Sequence, residues 1–138
     1  MIHRGELVVA TRHRGTYEIT REVAAIVSAS NAQHGLATVF IHHTSASLIV
    51  CENADPSVRR DLETFAAKLV RDGDPMFSHD AEGDDDMPAH VRTVLTQTSI
   101  GVPIGSGKLL LGTWQGLYLW EHRTSPHRRQ VSVTVIGE

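Results

Sequence analysis

Three polar clusters hold the side chains able to do chemistry in this 138-residue chain. The first, His42-His43-Thr44-Ser45-Ala46-Ser47, sets two imidazoles beside three hydroxyls between two apolar runs. The second spans His79-Asp80-Ala81-Glu82-Gly83-Asp84-Asp85-Asp86-Met87-Pro88-Ala89-His90. There a loop histidine and a helical histidine bracket a run of carboxylates, donors suited to Zn²⁺ through imidazole or to Mg²⁺ through oxygen. The third is Gly112-Thr113-Trp114-Gln115-Gly116, followed by Glu121-His122-Arg123. Arg123 carries the planar fork that grips phosphate or carboxylate through two parallel hydrogen bonds. Each cluster also has a plain structural reading. The first suits a self-satisfying turn, the second a solvated acidic loop, and the third a Glu121–Arg123 ion pair with His122 on the opposite face. Gly112 and Gly116 suit either a bulge or a close backbone approach.

Several mechanisms are absent from the sequence. No GxxxxGK[ST] or GxGxxG follows a strand, there is no HExxH or CxxC, and Ser45 sits in HTSAS rather than in a GxSxG elbow. Cys51 ends an apolar run, where a small buried residue is expected rather than a nucleophile. Met76, Met87 and Trp120 read as packing groups.

The elements that must position these clusters follow from periodicity. Leu7 to Ala10 is apolar and leads through Thr16 and Ile19 into a helix over 21–30, with Val23, Ile26 and Val27 on one stripe and Thr20 as its N-cap. Leu36–Ile41 and Ala46–Cys51 read as strands flanking the first cluster. Asp55-Pro56 opens the clearest helix, Asp as N-cap and Pro at the first position, with Val58, Leu62, Phe65 and Leu69 as its buried stripe. Residues 71–86 form a long ordered loop. A further helix follows with Pro88 near its start and Val91, Val94 and Leu95 facing inward, its preceding aspartates at the positive end of the dipole. Strands at 100–104, 108–114, 117–123 and 130–136 complete an α+β chain with a largely antiparallel sheet. The segment 124–129 reads as a turn without a functional role.

Composition narrows the classes. A chain of this length matches one domain, since domains cluster near roughly 100–150 residues. Apolar residues make up 41% and the net charge is −3, so the chain belongs with globular domains and lacks the basic field of nucleic-acid binders. The single cysteine makes no internal bridge, and the N-terminal residues lack the apolar stretch of a signal peptide or a membrane span. A cytoplasmic protein with no membrane partner is expected. Nine histidines are the compositional oddity, because imidazole is the common metal ligand and titrates near neutrality.

Taken together, His43-Thr44-Ser45-Ala46, Glu52-Asn53-Ala54-Asp55-Pro56, the His79 to His90 block, Gly112-Thr113-Trp114-Gln115-Gly116 and Glu121-His122-Arg123 resemble the YjbQ-like family, over nearly the whole chain. The resemblance implies an α+β subunit with a β-sandwich-like core and two to three helices, assembled as a homotrimer around a histidine-rich, metal-holding pocket. It also implies a secondary thiamine-phosphate synthase activity, which joins a pyrimidine diphosphate to a thiazole phosphate and releases pyrophosphate. Carried over by motif, His43, His79 and His90 are the metal ligands, with His122 in reserve, and the metal is zinc or else magnesium. Arg123 becomes the phosphate clamp and Glu121 its orienting partner or a general base. Ser45, Thr44, Asn53 and Gln115 become hydrogen-bonding groups for a small phosphorylated substrate, and Asp85 a magnesium ligand or a brace for a metal-bound histidine. The alternatives are a metal-dependent hydrolase of small esters or phosphates and a non-catalytic ligand- or metal-binding trimer.

Overall fold

The computed structural model describes residues 1–138. Its elements run β1 (Ile2–Thr11), β2 (Gly15–Glu18), α1 (Thr20–Ser30), β3 (His34–Ile41), β4 (Ala46–Glu52), α2 (Pro56–Leu69), α3 (Asp86–Leu95), β5 (Ser99–Gly105), β6 (Lys108–Leu109), β7 (Gln115–Glu121) and β8 (His127–Gly137). They form a five-stranded sheet, β1-β8-β3-β5-β6, and a three-stranded sheet, β2-β7-β4. Every strand pairing is antiparallel, and with three helices the chain is an α+β fold.

Strand alternation explains the layers. Ala37, Val39 and Ile41 of β3, Ile100, Val102 and Ile104 of β5, and Val131, Val133 and Val135 of β8 turn one face of the larger sheet inward. Ala46 and Leu48 of β4 and Leu117 and Leu119 of β7 meet them from the smaller sheet, and Val23 and Val27 of α1 complete the same core. Burying each such side chain contributes on the order of 1.5–3 kcal/mol. β7 is covered on both faces: Leu117, Leu119 and Glu121 look into the core, while Trp120 and His122 join a cavity wall with residues of α2 and α3. The outer face of the larger sheet has no such cover. Ile2, Ile136 and Leu36 stand in register across β1, β8 and β3, all exposed, with exposed Val8 and Phe40 nearby.

Several element expectations need correction. Ile19, not Thr20, is the N-cap of α1, because the Thr20 hydroxyl accepts from Leu117 N at 2.9 Å instead of capping. Asn31 ends that helix in the left-handed region at φ 60, as an amide side chain tolerates. Asp55 does cap α2, Oδ1 accepting from Ser57 N at 2.9 Å, with Pro56 at the first helical position. The stripe below it is not a buried face, however, since Phe65 and Leu69 are exposed and only Ala66 is buried. On α3, Val94 and Leu95 point outward while Ala89, Arg92 and Thr93 are inside. The helix is rotated because Arg92 pairs with Glu63 at 2.7 Å and Asp86 must reach its partners. The expected strand over 108–114 keeps only Lys108–Leu109, Met76 is exposed, and the 124–129 turn ends early because β8 begins at His127.

Candidate metal centre

Asp86 organises the second cluster. It opens α3, where the helix dipole favours a carboxylate, and its side chain is 3% exposed. His90 lies one turn later on the same helix face, and His79 reaches in from the ordered loop. Asp86 Oδ2 lies 2.7 Å from His79 Nε2 and 3.3 Å from His90 Nε2, and its Oδ1 lies 2.9 Å from Arg123 Nη1. The ligand atoms of His79, Asp86 and His90 all fall within 4.8 Å of one another. His90 Nδ1 donates to the Thr44 carbonyl at 3.0 Å, so in the neutral ring Nε2 keeps its lone pair and turns it on a carboxylate oxygen. Two electron-rich atoms in that pose call for a cation or a proton between them. Two imidazoles and one carboxylate, with His79 and His90 partly open to solvent, form a donor set that fits Zn²⁺ with coordination positions left free.

Arg123 holds this arrangement rather than standing free. Its Nε donates to Asp85 Oδ2 at 3.0 Å, Nη1 reaches Asp86, and Nη2 donates to the Glu82 carbonyl at 2.9 Å. Thr124 adds a backbone and a hydroxyl donor to Asp85 at 2.9 and 3.1 Å. Burial pushes the Asp85 acid up, but these donors and the guanidinium charge outweigh it and bring it down to about 2. Burial likewise works against the Asp86 carboxylate, and the hydrogen bond from His79 and the charge of Arg123 hold its pKa below the ordinary value. With its fork filled by two carboxylates and a backbone carbonyl, Arg123 is a brace for the loop and for Asp86. The phosphate-clamp expectation is therefore corrected, and so is the expectation that Asp85 braces a histidine, since its side chain accepts from Arg123 and Thr124 instead.

Glu121 does not pair with Arg123 either. It is fully buried and faces Arg129, which enters from β8 across the two sheets. Glu121 Oε1 accepts from Thr11 Oγ1 at 2.7 Å and Arg129 Nε at 2.8 Å, and Oε2 accepts from Arg129 Nη2 and from Arg123 N at 3.2 Å. Burial raises its pKa and these donors more than offset it, leaving a carboxylate held below the usual range. Every lone pair is engaged, so Glu121 is no free general base. Ser45 belongs to the same knot, its hydroxyl accepting from Arg129 Nη2 at 2.9 Å.

His43 is set apart from the three-ligand group. Its Nε2 accepts from Gln130 N at 2.7 Å, which consumes the lone pair a metal would need. His122 is also excluded as a ligand, being fully buried with Nε2 2.7 Å from Ser47 Oγ. Desolvation, aided by the charges of Arg92, Arg14 and Arg129, lowers its pKa to about 3 and keeps it neutral. Asn53 and Gln115 brace a different place. Asn53 Nδ2 donates to the Thr113 and Gln115 carbonyls at 3.3 and 3.4 Å, and Gln115 Oε1 accepts from Gly112 N at 2.8 Å. The β4–β7 register runs from Ala46↔Glu121 to Glu52↔Gln115, so six residues of strand, about 20 Å, separate them from Glu121. Gly116 is paired in regular register, and a Cβ there would lie 2.9 Å from Tyr118 and 3.1 Å from Asn53, so close approach rather than a bulge explains it. Burial raises the Cys51 thiol, which leaves it a poor nucleophile.

The sequence places Asp86 in the carboxylate run of the second cluster without marking it out from its neighbours, and it places Arg129 in a segment that reads as a turn. An Asp-x-x-x-His spacing on a helix puts both groups on one face, a signal present in Asp86 and His90. Arg129 carried no local signal, because its partner lies in another strand. His43, Thr44, His90, Thr93, Val94, Thr96 and Thr98 line an open cavity of about 440 Å³, and His79 lies on a smaller one of about 190 Å³, so the metal group stands between the two.

Fold and site define a small antiparallel α+β protein with a two-histidine, one-carboxylate metal-type cluster at one end of two packed sheets. Residues 5–138 match the model of the family described as UPF0047 protein YjbQ-like, and the chain belongs to that family. It is 51% identical over 136 residues to a UPF0047 protein of Synechocystis, covering 99% of this chain and 92% of that one. It is 37% identical to the UPF0047 protein YjbQ of Escherichia coli O157:H7 over the full length of both. Among solved structures, an uncharacterised YjbQ/UPF0047 protein of Clostridium acetobutylicum aligns with a TM-score of 0.88 at 36% identity, covering 96% of this chain and 99% of that one. A YjbQ-like protein of unknown function from Sulfolobus solfataricus shares the fold at a TM-score of 0.91 and 24% identity, over 100% and 99% of the two chains. No helix is long and apolar enough to cross a membrane.

Proposed function

We propose that this chain is a metal-dependent enzyme acting on a small phosphorylated metabolite, with formation of thiamine phosphate from its pyrimidine diphosphate and thiazole phosphate precursors as the concrete case. The observation that carries the reading is the convergence of His79 Nε2 and the lone-pair face of His90 Nε2 on one buried Asp86 oxygen. A divalent ion held by these three residues, zinc first and magnesium second, would supply positive charge against an anionic leaving group. The chain's own part is orientation: the Thr44 carbonyl fixes the His90 tautomer, and Arg123 fixes Asp86 from its other oxygen. Partners that steer ligands in this way typically matter about 10–100-fold for metal affinity.

The open coordination positions equally suit hydrolysis of a small ester or phosphate, which is the second reading. The test is metal analysis of protein purified without a histidine tag, then turnover of the paired thiamine precursors and of generic phosphate and acyl esters, beside His79→Ala. Coupling product from wild-type protein only supports the first reading; ester turnover alone supports the hydrolase. Stoichiometric metal with no turnover of either kind leaves a binding protein, and active, metal-free, chelator-insensitive protein overturns the metal reading. A homotrimer acting in the cytoplasm belongs to the same proposal, supported by the uncovered apolar row of Ile2, Ile136 and Leu36 and by exposed Phe65 and Leu69. Light scattering on the purified chain reads the assembly directly, and a monomer at micromolar concentration would refute it.

A further inference from the structure

Four buried side-chain nitrogens and oxygens in the molecule have no hydrogen-bond partner, and three of them, Arg92 Nε, Arg92 Nη2 and His122 Nδ1, belong to two residues that line one cavity. The cavity lies between α2, α3 and β7 and holds about 210 Å³. Leu62, Phe65, Ala66 and Leu69 of α2, Leu95 of α3 and Trp120 of β7 make its wall apolar. Arg92 is 2% exposed and is held from one side only, where Nη1 donates to Glu63 Oε2 at 2.7 Å. Glu63 in turn accepts from Trp120 Nε1 at 3.3 Å, so the guanidinium is fixed through its partner. Its Nε–Nη2 edge carries two parallel N–H groups by covalent geometry, and it is the edge that Arg129 gives to the two carboxylate oxygens of Glu121. In Arg92 no carboxylate of the chain fills that edge. Desolvation and then the charges of Arg92, Arg14 and Arg129 depress the pKa of His122, so the polar side of the cavity is a positive one.

We propose that this cavity binds a small monocarboxylate with an aromatic or branched aliphatic body, its carboxylate on the Nε–Nη2 edge of Arg92 and its body against Trp120 and the leucines. An apolar protein surface would fill the wall but leave the guanidinium edge without an acceptor, and a water or bare anion would do the reverse. A ligand with both ends meets both needs. Size narrows the class: about 150 Å³ of apolar cavity accepts benzene, so this one matches a single ring with its carboxylate rather than a fused-ring acid. His122 is the second polar group on the wall. Ser47 Oγ lies 2.7 Å from its Nε2 and as a hydroxyl can donate there, which leaves the ring proton on Nδ1 as a further donor. Entry needs only side-chain motion, because Phe65, Leu69 and Leu95 are exposed and exposed side chains change rotamer in picoseconds to nanoseconds. The site is independent of the metal-type cluster, none of whose three residues lines this cavity.

The test is calorimetric titration of benzoate and of its neutral isostere benzamide into wild-type protein, Arg92→Met and Ala66→Leu, with NMR of the Trp120 indole and the His122 ring. Arg92→Met keeps an apolar stem and removes the donors, whereas Ala66→Leu fills the cavity and leaves the Arg92–Glu63 pair intact. The comparison of benzoate with benzamide needs no variant, so it reads the site even where a variant fails to fold. The expected result is saturable benzoate binding to wild type with Kd at or below about 1 mM and NMR contacts from its ring to Trp120. Affinity should be at least about tenfold weaker for benzamide, and for benzoate with either variant. Equal affinity for benzoate and benzamide, or unaltered benzoate affinity in either folded variant, overturns the site. So does the absence of saturable binding to wild type: Trp120 signals that then change on dilution assign the cavity to a second copy of the chain, and signals that stay constant assign it to water.

Discussion

Replacing Glu121 by glutamine keeps the shape of the most deeply engaged polar side chain and removes its charge. Glu121 has no exposure and Arg129 is 5% exposed along its side chain, so the lost charge is not replaced by water. Glutamine also offers only one oxygen to four donors, from Thr11, Arg123 and two nitrogens of Arg129, and its amide opposes one of them. Removing one partner of a buried pair costs about 3–5 kcal/mol, because the other charge is left uncompensated. With an unfolding entropy near 2.1 cal/mol/K per residue, a chain this long changes by roughly 0.3 kcal/mol per degree, so Tm should fall by about 10–17 °C. The double variant Glu121→Leu with Arg129→Met should recover most of that loss, since buried pairs are often replaced by packed apolar groups without net cost. The assay is thermal unfolding by circular dichroism at pH 7 and one fixed protein concentration, which holds any assembly contribution constant. A fall of less than about 3 °C in Glu121→Gln, under ~1 kcal/mol, would refute the claim that this pair is sealed from solvent and mutually dependent.

Further tests address the brace, the buried imidazole and the acid limit. Arg123→Lys keeps the charge but cannot hold Asp85, Asp86 and the Glu82 carbonyl together, so zinc affinity by competition titration should drop about tenfold with faster amide exchange at 82–86; equal affinity would make Arg123 dispensable. His122 should show no titration between pH 5 and 8 by NMR, its pKa lying at about 3 against 6.5 when unfolded. Because the unfolded chain binds that proton first, stability should be complete above pH 6.5 and decline as pH falls toward 3, a slope that His122→Gln should lessen. Asp85 has a depressed pKa, so its contribution is present above its ordinary 3.8 and lost as pH falls through about 2; Asp85→Asn should be less stable at neutral pH and lose less between pH 4 and 2. An unaltered acid limb in that variant would show that Asp85 is not held by Arg123.

Local signals were reliable where one short segment decided the outcome. Asp55-Pro56 fixed the start of α2 because a cap and its first turn are neighbours in the chain. Alternating Val131, Val133 and Val135 marked the inner face of β8, and the breaks between 71 and 86 marked the loop that carries His79. The helix stripes misled because hydrophobic periodicity reports which residues share a face, not whether another layer covers it; Phe65, Leu69, Val94 and Leu95 share faces that this chain leaves open. The glutamate–arginine pairing misled because Glu121, the last residue of β7, and Arg123 are two residues apart in the chain, whereas Arg129 is brought to Glu121 from β8 by the packing of the sheets.

The α+β class, the family and the stock of donors were legible in the chain, because periodicity, caps and motif spacing are properties of short stretches. Which donors meet was settled by packing. It placed Asp86 between His79 and His90, turned His43 toward Arg129, buried His122 and carried Asn53 and Gln115 to the far end of β7. Distances between segments depend on how sheets and helices pack, and packing is settled by the whole core at once rather than by any residue's neighbours in the chain.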